Sequence, residues 1–356
     1  MRERKIAYVS YWLKKLWASK LLLALAVPAA VFALGWIFRG QLSQEVASTI
    51  IETVAIPPTP HPATVPGLRA TQVESTPLEV ISTYGELHSY TSYRAKYISQ
   101  GLEQYGLLTI PTAPPPPGGY PAIVFVHGYI PPSLYRTNER YVDYVNYLAS
   151  RGFVVFKIDL RGHDQSQGQA GGGYFSPGYV MDVRHAISAL QSDPRIDPES
   201  IGVWGHSMAG NVSLRAATVD SRIRAVVIWG GAVYSYEDMQ QFGLNDDSYR
   251  PPSTASPGAS RRQIVEEYGP INLDNPFWKS MSPLSYLNDF FTPVQLHHAT
   301  DDSVVSIEYA RGLRAAFEQQ GKEIELFEYP SGGHDIEGPA FSEAMQRTAA
   351  FYQEHL

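Results

Sequence analysis

The stretch VWGHSMAGN, residues 203–211, places Ser207 directly after an apolar run and among small residues. Gly205 and Ala209, two positions to either side, leave room for a sharp turn from a strand into a helix, which exposes the serine hydroxyl. The helix N-terminus and the N–H of Met208 would then stabilise an oxyanion that forms beside the serine. We therefore predict that Ser207 is a nucleophile; the alternative is an ordinary serine cap of a helix.

A serine nucleophile needs a base and an acid that orients the base. The candidate base is His334, which stands in GGHD directly after the last predicted strand. Two candidate acids, Asp301 and Asp302, follow the preceding predicted strand in HATDDSVVS. The order serine, aspartate, histidine along the chain matches that of α/β-hydrolases. The sequence therefore predicts a Ser-Asp-His triad that acts through an acyl-enzyme.

Strand-like and helix-like stretches alternate from about residue 81 onward. The predicted buried strands read PAIVFVHG, FVVFKIDLRG, SIGVWG, IRAVVIWGG, TPVQLHHAT and EIELFEYP, and most are separated by helical patterns. This alternation predicts an α/β-hydrolase fold, with a mostly parallel, doubly wound sheet covered by helices on both faces. The loop after VFVHG would bring Tyr129 beside Ser207 as a second oxyanion donor, through its backbone N–H or its hydroxyl.

Residues 232–285 connect two predicted strands and are too long for a simple loop, so we predict a small cap insertion there. The candidates to line an apolar substrate pocket in this cap are Tyr234, Tyr236, Phe277 and Trp278. The alternative is that these aromatic rings pack the cap onto the domain.

Composition excludes several other kinds of protein. The 356 residues are 44% hydrophobic and carry a net charge of -7 without a basic block in the body of the chain, so nucleic acid is not an expected partner. The absence of cysteine excludes disulfides, thiolate zinc sites and a cysteine nucleophile. His297 and His298 are neighbours on a predicted strand and point to opposite faces, so they cannot share a metal. We expect neither a metal nor another cofactor.

An uncharged apolar run, residues 21–38, is long enough to cross a bilayer as one helix. Residues 1–20 are basic, and the positive-inside rule then puts the N-terminus in the cytoplasm and the remainder of the chain outside. A cleaved signal peptide, which would make the protein secreted, is the alternative. Repeated prolines in residues 39–80 predict an extended stalk before the catalytic domain, residues 81–356, although packing of this segment on the domain stays open.

The chain from about residue 80 to 356 resembles the catalytic domain of the prolyl oligopeptidase family, within the α/β-hydrolase superfamily. The resemblance rests on HG after a strand, then DLRGHDQS, GHSMAG, SPLSYLNDFFTPVQLHHATDDSVV and YPSGGH in this order. The family motif G-T-x-D-x-x-V, with Val304 as its valine, implies that Asp301 is the triad acid and leaves Asp302 as the fallback. We expect the catalytic domain alone, because the segment before it leaves no room for the family's propeller.

Three functions follow from these observations. The resemblance implies a serine peptidase that acts on peptides, and the apolar run at residues 21–38 predicts that it is anchored in the membrane. A carboxylesterase with the same triad is the second reading, and a catalytically silent binding module at the cell surface is the third.

Overall fold

A nine-stranded sheet is the centre of the computed structural model, which describes residues 59–244 and 257–356. The strands are β1 (Glu79–Glu86), β2 (Tyr90–Ser99), β3 (Leu102–Pro111), β4 (Tyr120–Val126), β5 (Val154–Ile158), β6 (Ile196–His206), β7 (Ala225–Trp229), β8 (Val294–Ala299) and β9 (Ile324–Tyr329). Their order across the sheet is β1-β2-β3-β5-β4-β6-β7-β8-β9. Residues 60–356 form one compact unit.

The sheet is antiparallel at one side and parallel over the larger part. In the order of the sheet, neighbouring strands are parallel from β5 through β4, β6, β7 and β8 to β9. The pairs β1–β2, β2–β3 and β3–β5 are antiparallel. The strand-like stretches SYRAKYIS and LEQYGLLTIP, with Gly101 between them, indicate a hairpin in the sequence. The strands β2 and β3 form it and turn at Gln100 and Gly101, whose φ angles of 51° and 77° give the two-residue turn that matches the twist of the strands. The mostly parallel sheet is confirmed, and β1 is a strand that the sequence analysis did not predict.

Helices cover both faces of the sheet. They are α1 (Val65–Ala70), α2 (Val142–Ala149), α3 (Gly178–Gln191), α4 (Ala209–Val219), α5 (Tyr236–Phe242), α6 (Pro257–Tyr268), α7 (Pro276–Met281), a 3₁₀ helix (Pro283–Asp289), α8 (Glu308–Gln319) and α9 (Pro339–His355). The side chains of β4 alternate between two cores: Ile123 and Phe125 belong to the core that includes residues of α2 and α9, while Ala122, Val124 and Val126 belong to the core that includes residues of α3, α4 and α8. Both faces of the parallel sheet are therefore buried, as its apolar strands require.

The segment just before β1 is folded. The α1 helix starts after Thr64, whose hydroxyl accepts a hydrogen bond from the Gly67 N–H at 3.1 Å, and Pro66 occupies the first turn. Proline is favoured at this place because its missing N–H would have no partner in a helix anyway. Part of the proline-rich composition therefore belongs to the start of a helix and not to an extended spacer.

This segment also packs on the domain, so the stalk predicted over residues 39–80 is wrong for its described half. Ala63, Val65 and Leu68 are completely buried. The Arg184 guanidinium donates to the Leu68 carbonyl at 2.7 Å, and Arg215 donates to the Ala63 carbonyl. Apolar burial and these two buried arginines outweigh the tendency of the prolines to stay extended, and the domain therefore starts near residue 60 and not at 81.

Residues 1–58 lie outside the described part of the chain, and the predicted membrane segment at 21–38 lies among them. Within residues 59–244 and 257–356, no helix is both long and apolar enough to cross a bilayer.

Candidate active site

Ser207 occupies a strained turn between β6 and α4. Its φ is 55°, in the left-handed region that costs a residue with a side chain about 1 to 3 kcal/mol. The Ser207 N–H donates to the Trp229 carbonyl at 3.0 Å, and the Ser207 carbonyl accepts from the Gly210 N–H at 2.9 Å. These bonds hold the strained residue in place, and the predicted strand-to-helix turn is confirmed.

The turn requires small residues where the sequence has them. A Cβ added to Gly205 would lie 2.4 Å from Ser213 Oγ and 2.8 Å from the Ala209 carbonyl oxygen. A Cβ added to Gly210 would lie 2.9 Å from the Gly231 Cα. Contacts this short are repulsive, so larger side chains would push α4 away from the end of β6 and move the serine.

His334 lies in the loop after β9 and pairs with Asp302 in the loop after β8. The His334 Nδ1 and Asp302 Oδ2 atoms are 2.8 Å apart. The carboxylate is 0% exposed and the imidazole 18% exposed. Gly332 and Gly333, with φ of 140° and 62°, allow the histidine loop to bend over the sheet. Because the carboxylate occupies Nδ1, Nε2 is the ring nitrogen left for proton transfer.

The prediction of Asp301 as the partner of this histidine is wrong. Its exposed carboxylate accepts from the N–H groups of Gly332 at 3.3 Å and Gly333 at 2.8 Å, so it fastens the backbone of the histidine loop and not the ring. The sequence held a signal for the other aspartate. Reading G-T-x-D-x-x-V with Val305 as its valine places the motif aspartate at Asp302, and only that reading also matches the motif threonine.

Asp302 is surrounded by hydrogen-bond donors. Its Oδ1 accepts from the N–H groups of Val304 at 2.8 Å and Val305 at 2.9 Å, and its Oδ2 lies 3.3 Å from His298 Nε2. Burial alone would raise the pKa of Asp302, but hydrogen bonds from His298, His334 and Val305 outweigh burial and hold the pKa well below its ordinary value. Asp302 is therefore ionised at neutral pH. Sequence reasoning missed the contact with His298, for which the position four residues before the aspartate was a signal.

The two predicted oxyanion donors come from loops at the carboxyl ends of β4 and β6. Tyr129 lines the same cavity as Ser207 and follows Gly128 in the loop after β4. Met208 directly follows Ser207, and its side chain is buried. The roles of their N–H groups stay predictions.

A cavity of about 670 Å³ lies at these residues. It is lined by the aromatic and aliphatic side chains of Tyr129, Ile130, Tyr141, Tyr144, Val304 and Phe341, and by the charged side chains of Arg140, Asp143, Asp335 and Glu337. A cavity of this size takes a small ligand or part of a larger one. The apolar wall offers contact area to a substrate side chain, and the charged groups are available to its polar parts.

The four aromatic residues predicted to line the pocket belong to the core instead. Tyr234 and Tyr236 are 1% exposed and Trp278 is 0% exposed. Phe277 stacks on Tyr268 with ring centroids 3.6 Å apart. Among the described residues, the cavity at Ser207 has none of the four in its wall. The alternative reading, in which these rings pack the inserted segment onto the domain, is therefore the correct one.

The fold and the site together define a class of protein. A serine on a strained strand-to-helix turn, with a histidine and a buried carboxylate after two later strands of a mostly parallel sheet, is the architecture of an α/β-hydrolase. Residues 140–356, more than half of the chain, match the family model described as the prolyl oligopeptidase family. The chain therefore belongs to the prolyl oligopeptidase family.

Individual relatives agree with this family. An uncharacterized peptidase of Bacillus subtilis, YuxL, is 29% identical over 223 residues, which cover 61% of this chain and 31% of YuxL. The chain thus spans about a third of the length of the curated relatives that it matches first. Among solved structures, Pyrococcus horikoshii acylaminoacyl peptidase matches with a TM-score of 0.59 and 22% identity, over 76% of this chain and 42% of that one. An acetyl xylan esterase from Paenibacillus sp. R4 matches with a TM-score of 0.58 and 18% identity, over 82% and 92%. Both structures show the fold.

Proposed function

We propose that the protein is a serine peptidase in which Ser207, His334 and Asp302 form the catalytic triad. The observation that carries the proposal is the 2.8 Å contact between His334 Nδ1 and Asp302 Oδ2, beside a cavity that His334 and Ser207 line together. Membership of the prolyl oligopeptidase family, and a relative named a peptidase, support peptides as the substrate class.

The mechanism follows from the chemistry of these groups. Ser207 Oγ attacks the carbonyl carbon and gives its proton to His334 Nε2, while Asp302 stabilises the imidazolium through Nδ1–H. The N–H groups of Met208 and Tyr129 hold the oxyanion of the tetrahedral intermediate. The C–N bond then breaks, the leaving amine takes the proton from the histidine, and the acyl group stays on the serine oxygen. Water repeats the sequence, and the released acid leaves the serine reprotonated.

A carboxylesterase with the same triad is the second candidate. An ester requires the same nucleophile, base and oxyanion donors, and its alcohol leaves more easily than an amine. A specific observation supports this reading: the Paenibacillus structure that matches over 92% of its length is named an acetyl xylan esterase. Its likeness to this chain concerns the fold, so the substrate itself must decide between the two candidates.

The experiment that tests the proposal joins one active-site label with one pair of matched substrates. A fluorophosphonate probe should label the wild-type protein and not the Ser207→Ala variant. The same N-acylated amino acid is then offered as a nitrophenyl ester and as a nitroanilide, so that only the leaving group differs. Cleavage of the anilide supports a peptidase, and cleavage of the ester alone supports the esterase. A protein that is not labelled is the silent binding module.

The predicted membrane anchor is part of the same proposal. The length of the apolar run at residues 21–38 and the basic residues before it support a single span with the catalytic domain outside the cytoplasm. Protease added to intact cells or spheroplasts should digest the catalytic domain, whereas full protection would place it in the cytoplasm. A mature N-terminus found after residue 38 would instead indicate a cleaved signal peptide and a secreted enzyme.

A further inference from the structure

Three segments of the site meet at the side chain of His206, the residue before Ser207. The hydroxyl oxygen of Tyr141 lies 3.0 Å from the Gly128 backbone nitrogen and 2.8 Å from His206 Nδ1. On the far side of the ring, His206 Nε2 lies 3.0 Å from the His334 carbonyl oxygen. One chain of contacts thus joins the loop after β4, the serine turn and the histidine loop.

The groups at the two ends of this chain fix the protons of a neutral ring. The His334 carbonyl can only accept, so His206 Nε2 carries a proton and donates it. In a neutral ring Nδ1 is then an acceptor and takes the Tyr141 hydroxyl proton. The Tyr141 oxygen accepts in turn from the Gly128 N–H. A neutral ring in this one tautomer satisfies all three contacts.

The surroundings of His206 favour the neutral ring. Burial is the largest influence, and together with His334, whose ring centroid is 4.6 Å away, it lowers the pKa of His206 to about 4. Asp335, with Oδ1 3.5 Å from His206 Nε2, and Asp302 act in the opposite direction but do not overcome burial. Burial also raises the pKa of Tyr141 well above its ordinary value, so its hydroxyl keeps the proton that it donates.

The backbone at Tyr141 and at Gly128 fits the link, by which we mean the chain of contacts Gly128–Tyr141–His206–His334. Tyr141 itself has φ of 60°, in the left-handed region, just before α2. A Cβ added to Gly128 would lie 3.0 Å from the Tyr141 hydroxyl oxygen and 3.0 Å from His206 Nδ1. A strained tyrosine and a glycine in tight contact with the link are costs that a chance contact would not explain.

We propose that Tyr141 and His206 are positioning residues, which hold the loop of Tyr129 and the loop of His334 in register with Ser207 as long as His206 is neutral. The inference rests on the proposed function, because it assigns these loops to the oxyanion site and the base. Loss of the Tyr141 hydroxyl frees the loop after β4. It also removes the donor to His206 Nδ1, so the ring is then held only through Nε2.

The Tyr141→Phe variant tests both consequences. We expect kcat to fall about 10- to 100-fold at pH 8 with KM changed less than about threefold, since the reacting groups are displaced and the cavity wall is kept. The split between kcat and KM, with kcat taken per labelled active site, separates displaced reacting groups from a general loss of folding, which would only lower the amount of active enzyme. The matched control is Tyr352→Phe, which removes a buried hydroxyl bonded to the Val203 carbonyl at 2.8 Å and should leave kcat unchanged.

Two replacements of His206 separate its contact with Tyr141 from its contact with the His334 carbonyl. In His206→Gln, the amide can still donate to the His334 carbonyl but has no second nitrogen for Tyr141. In His206→Asn, the side-chain oxygen can accept from Tyr141 but does not reach the histidine loop. Each variant should therefore lower kcat through the one contact that it loses. Adding Tyr141→Phe to His206→Gln should cost less than Tyr141→Phe costs in the wild type, because the shared contact is already gone.

Nitrogen NMR of the histidine side chains gives a readout that does not depend on turnover. In the full-length Ser207→Ala protein, with His206→Gln for assignment, His206 should appear as a neutral Nε2–H ring between about pH 5 and 8, and its Nδ1 signal should shift in Tyr141→Phe, where that nitrogen loses its donor. A wild-type His206 that is protonated on both nitrogens in this range, or a labelled enzyme whose Tyr141→Phe variant keeps the wild-type kcat, overturns the positioning role alone. Failure of the fluorophosphonate to label Ser207 overturns the proposed function and the positioning role together.

Discussion

Changing Asp302 to Asn perturbs one proton in the site. Asp302 Oδ2 accepts from His334 Nδ1 at 2.8 Å, while Oδ1 is occupied by the N–H groups of Val304 and Val305. An asparagine keeps its carbonyl oxygen toward those two N–H groups, since the reverse orientation would leave both without an acceptor. Its NH₂ group then replaces Oδ2, which faces His334 Nδ1 and also lies 3.3 Å from His298 Nε2. The His298 proton can stay on Nε2, which lies 3.0 Å from the Val305 carbonyl oxygen. His334 Nδ1 must become an acceptor, so its proton moves to Nε2 of the same ring. The nitrogen that should take the serine's proton is thereby blocked.

The size of the expected loss in kcat follows from this change of tautomer. The same tautomer change in the Ser-His-Asp triad of a known protease costs about 10⁴-fold in kcat, and we expect Asp302→Asn to cost about 10³- to 10⁴-fold here, or roughly 4 to 5.5 kcal/mol of activation free energy. Asp301→Asn is the matched control. The amide oxygen of the new side chain can still accept from the Gly333 N–H, whose nitrogen lies 2.8 Å from the Asp301 carboxylate in the wild type. The loss in this control should stay below about tenfold, the worth of one exposed hydrogen bond.

Both variants are assayed with a nitrophenyl ester and by the rate of fluorophosphonate labelling, with circular dichroism to confirm that they fold. Asp302 is not the acid of the triad if Asp302→Asn keeps kcat within about tenfold of the wild type. The same conclusion follows if Asp301→Asn is the more damaging change.

Four further predictions follow from strain, charge and packing. Ser207→Gly should be as inactive as Ser207→Ala, but its free energy of unfolding in urea should be about 1 kcal/mol higher than that of Ser207→Ala, because glycine adopts φ of 55° without a steric cost. The folded pKa of Asp302 lies below its unfolded value, so it stabilises the protein above about pH 4 and this contribution is lost as pH falls further; urea unfolding at several pH values should show a shallower acid loss in Asp302→Asn. Trp278→Ala should lower the free energy of unfolding by about 3 to 5 kcal/mol with KM unchanged, since this ring is core and not pocket. A chain that starts at Pro60 should fold, whereas one that starts at residue 81 should show a markedly lower melting temperature in calorimetry, because it lacks the buried side chains of α1.

The sequence correctly predicted the features that depend on residues close together along the chain. The alternation of strands and helices predicted the parallel sheet, and small residues at fixed distances from Ser207 predicted the strained turn, because both depend on neighbours along the chain. The choice between Asp301 and Asp302 depends on a turn in which adjacent side chains point in opposite directions. Spacing alone does not decide such a choice, although the motif threonine pointed to the correct one.

Two other outcomes depended on contacts between distant parts of the chain. The aromatic residues of the inserted segment suit a buried core as well as a substrate pocket, and only their packing separates these roles. For the segment at residues 60–71, the decisive partners are Arg184 and Arg215, more than a hundred positions away. Its prolines are consistent with an extended spacer as well as with the start of a helix, so composition could not distinguish them.

The docking of this segment also determines how the domain would respond to mechanical force. Tension applied to the chain at residue 60 reaches α1 and its two arginine contacts before it reaches β1. The arginines lie on α3 and α4, which are buried against the sheet, so the load passes into the interior of the fold. The strand β1, which lies at the edge of the sheet and could be peeled away one hydrogen bond at a time, is shielded from that tension. When this end of the domain is under tension, the strands of the sheet therefore stay paired until the hydrogen bonds of the two arginines break.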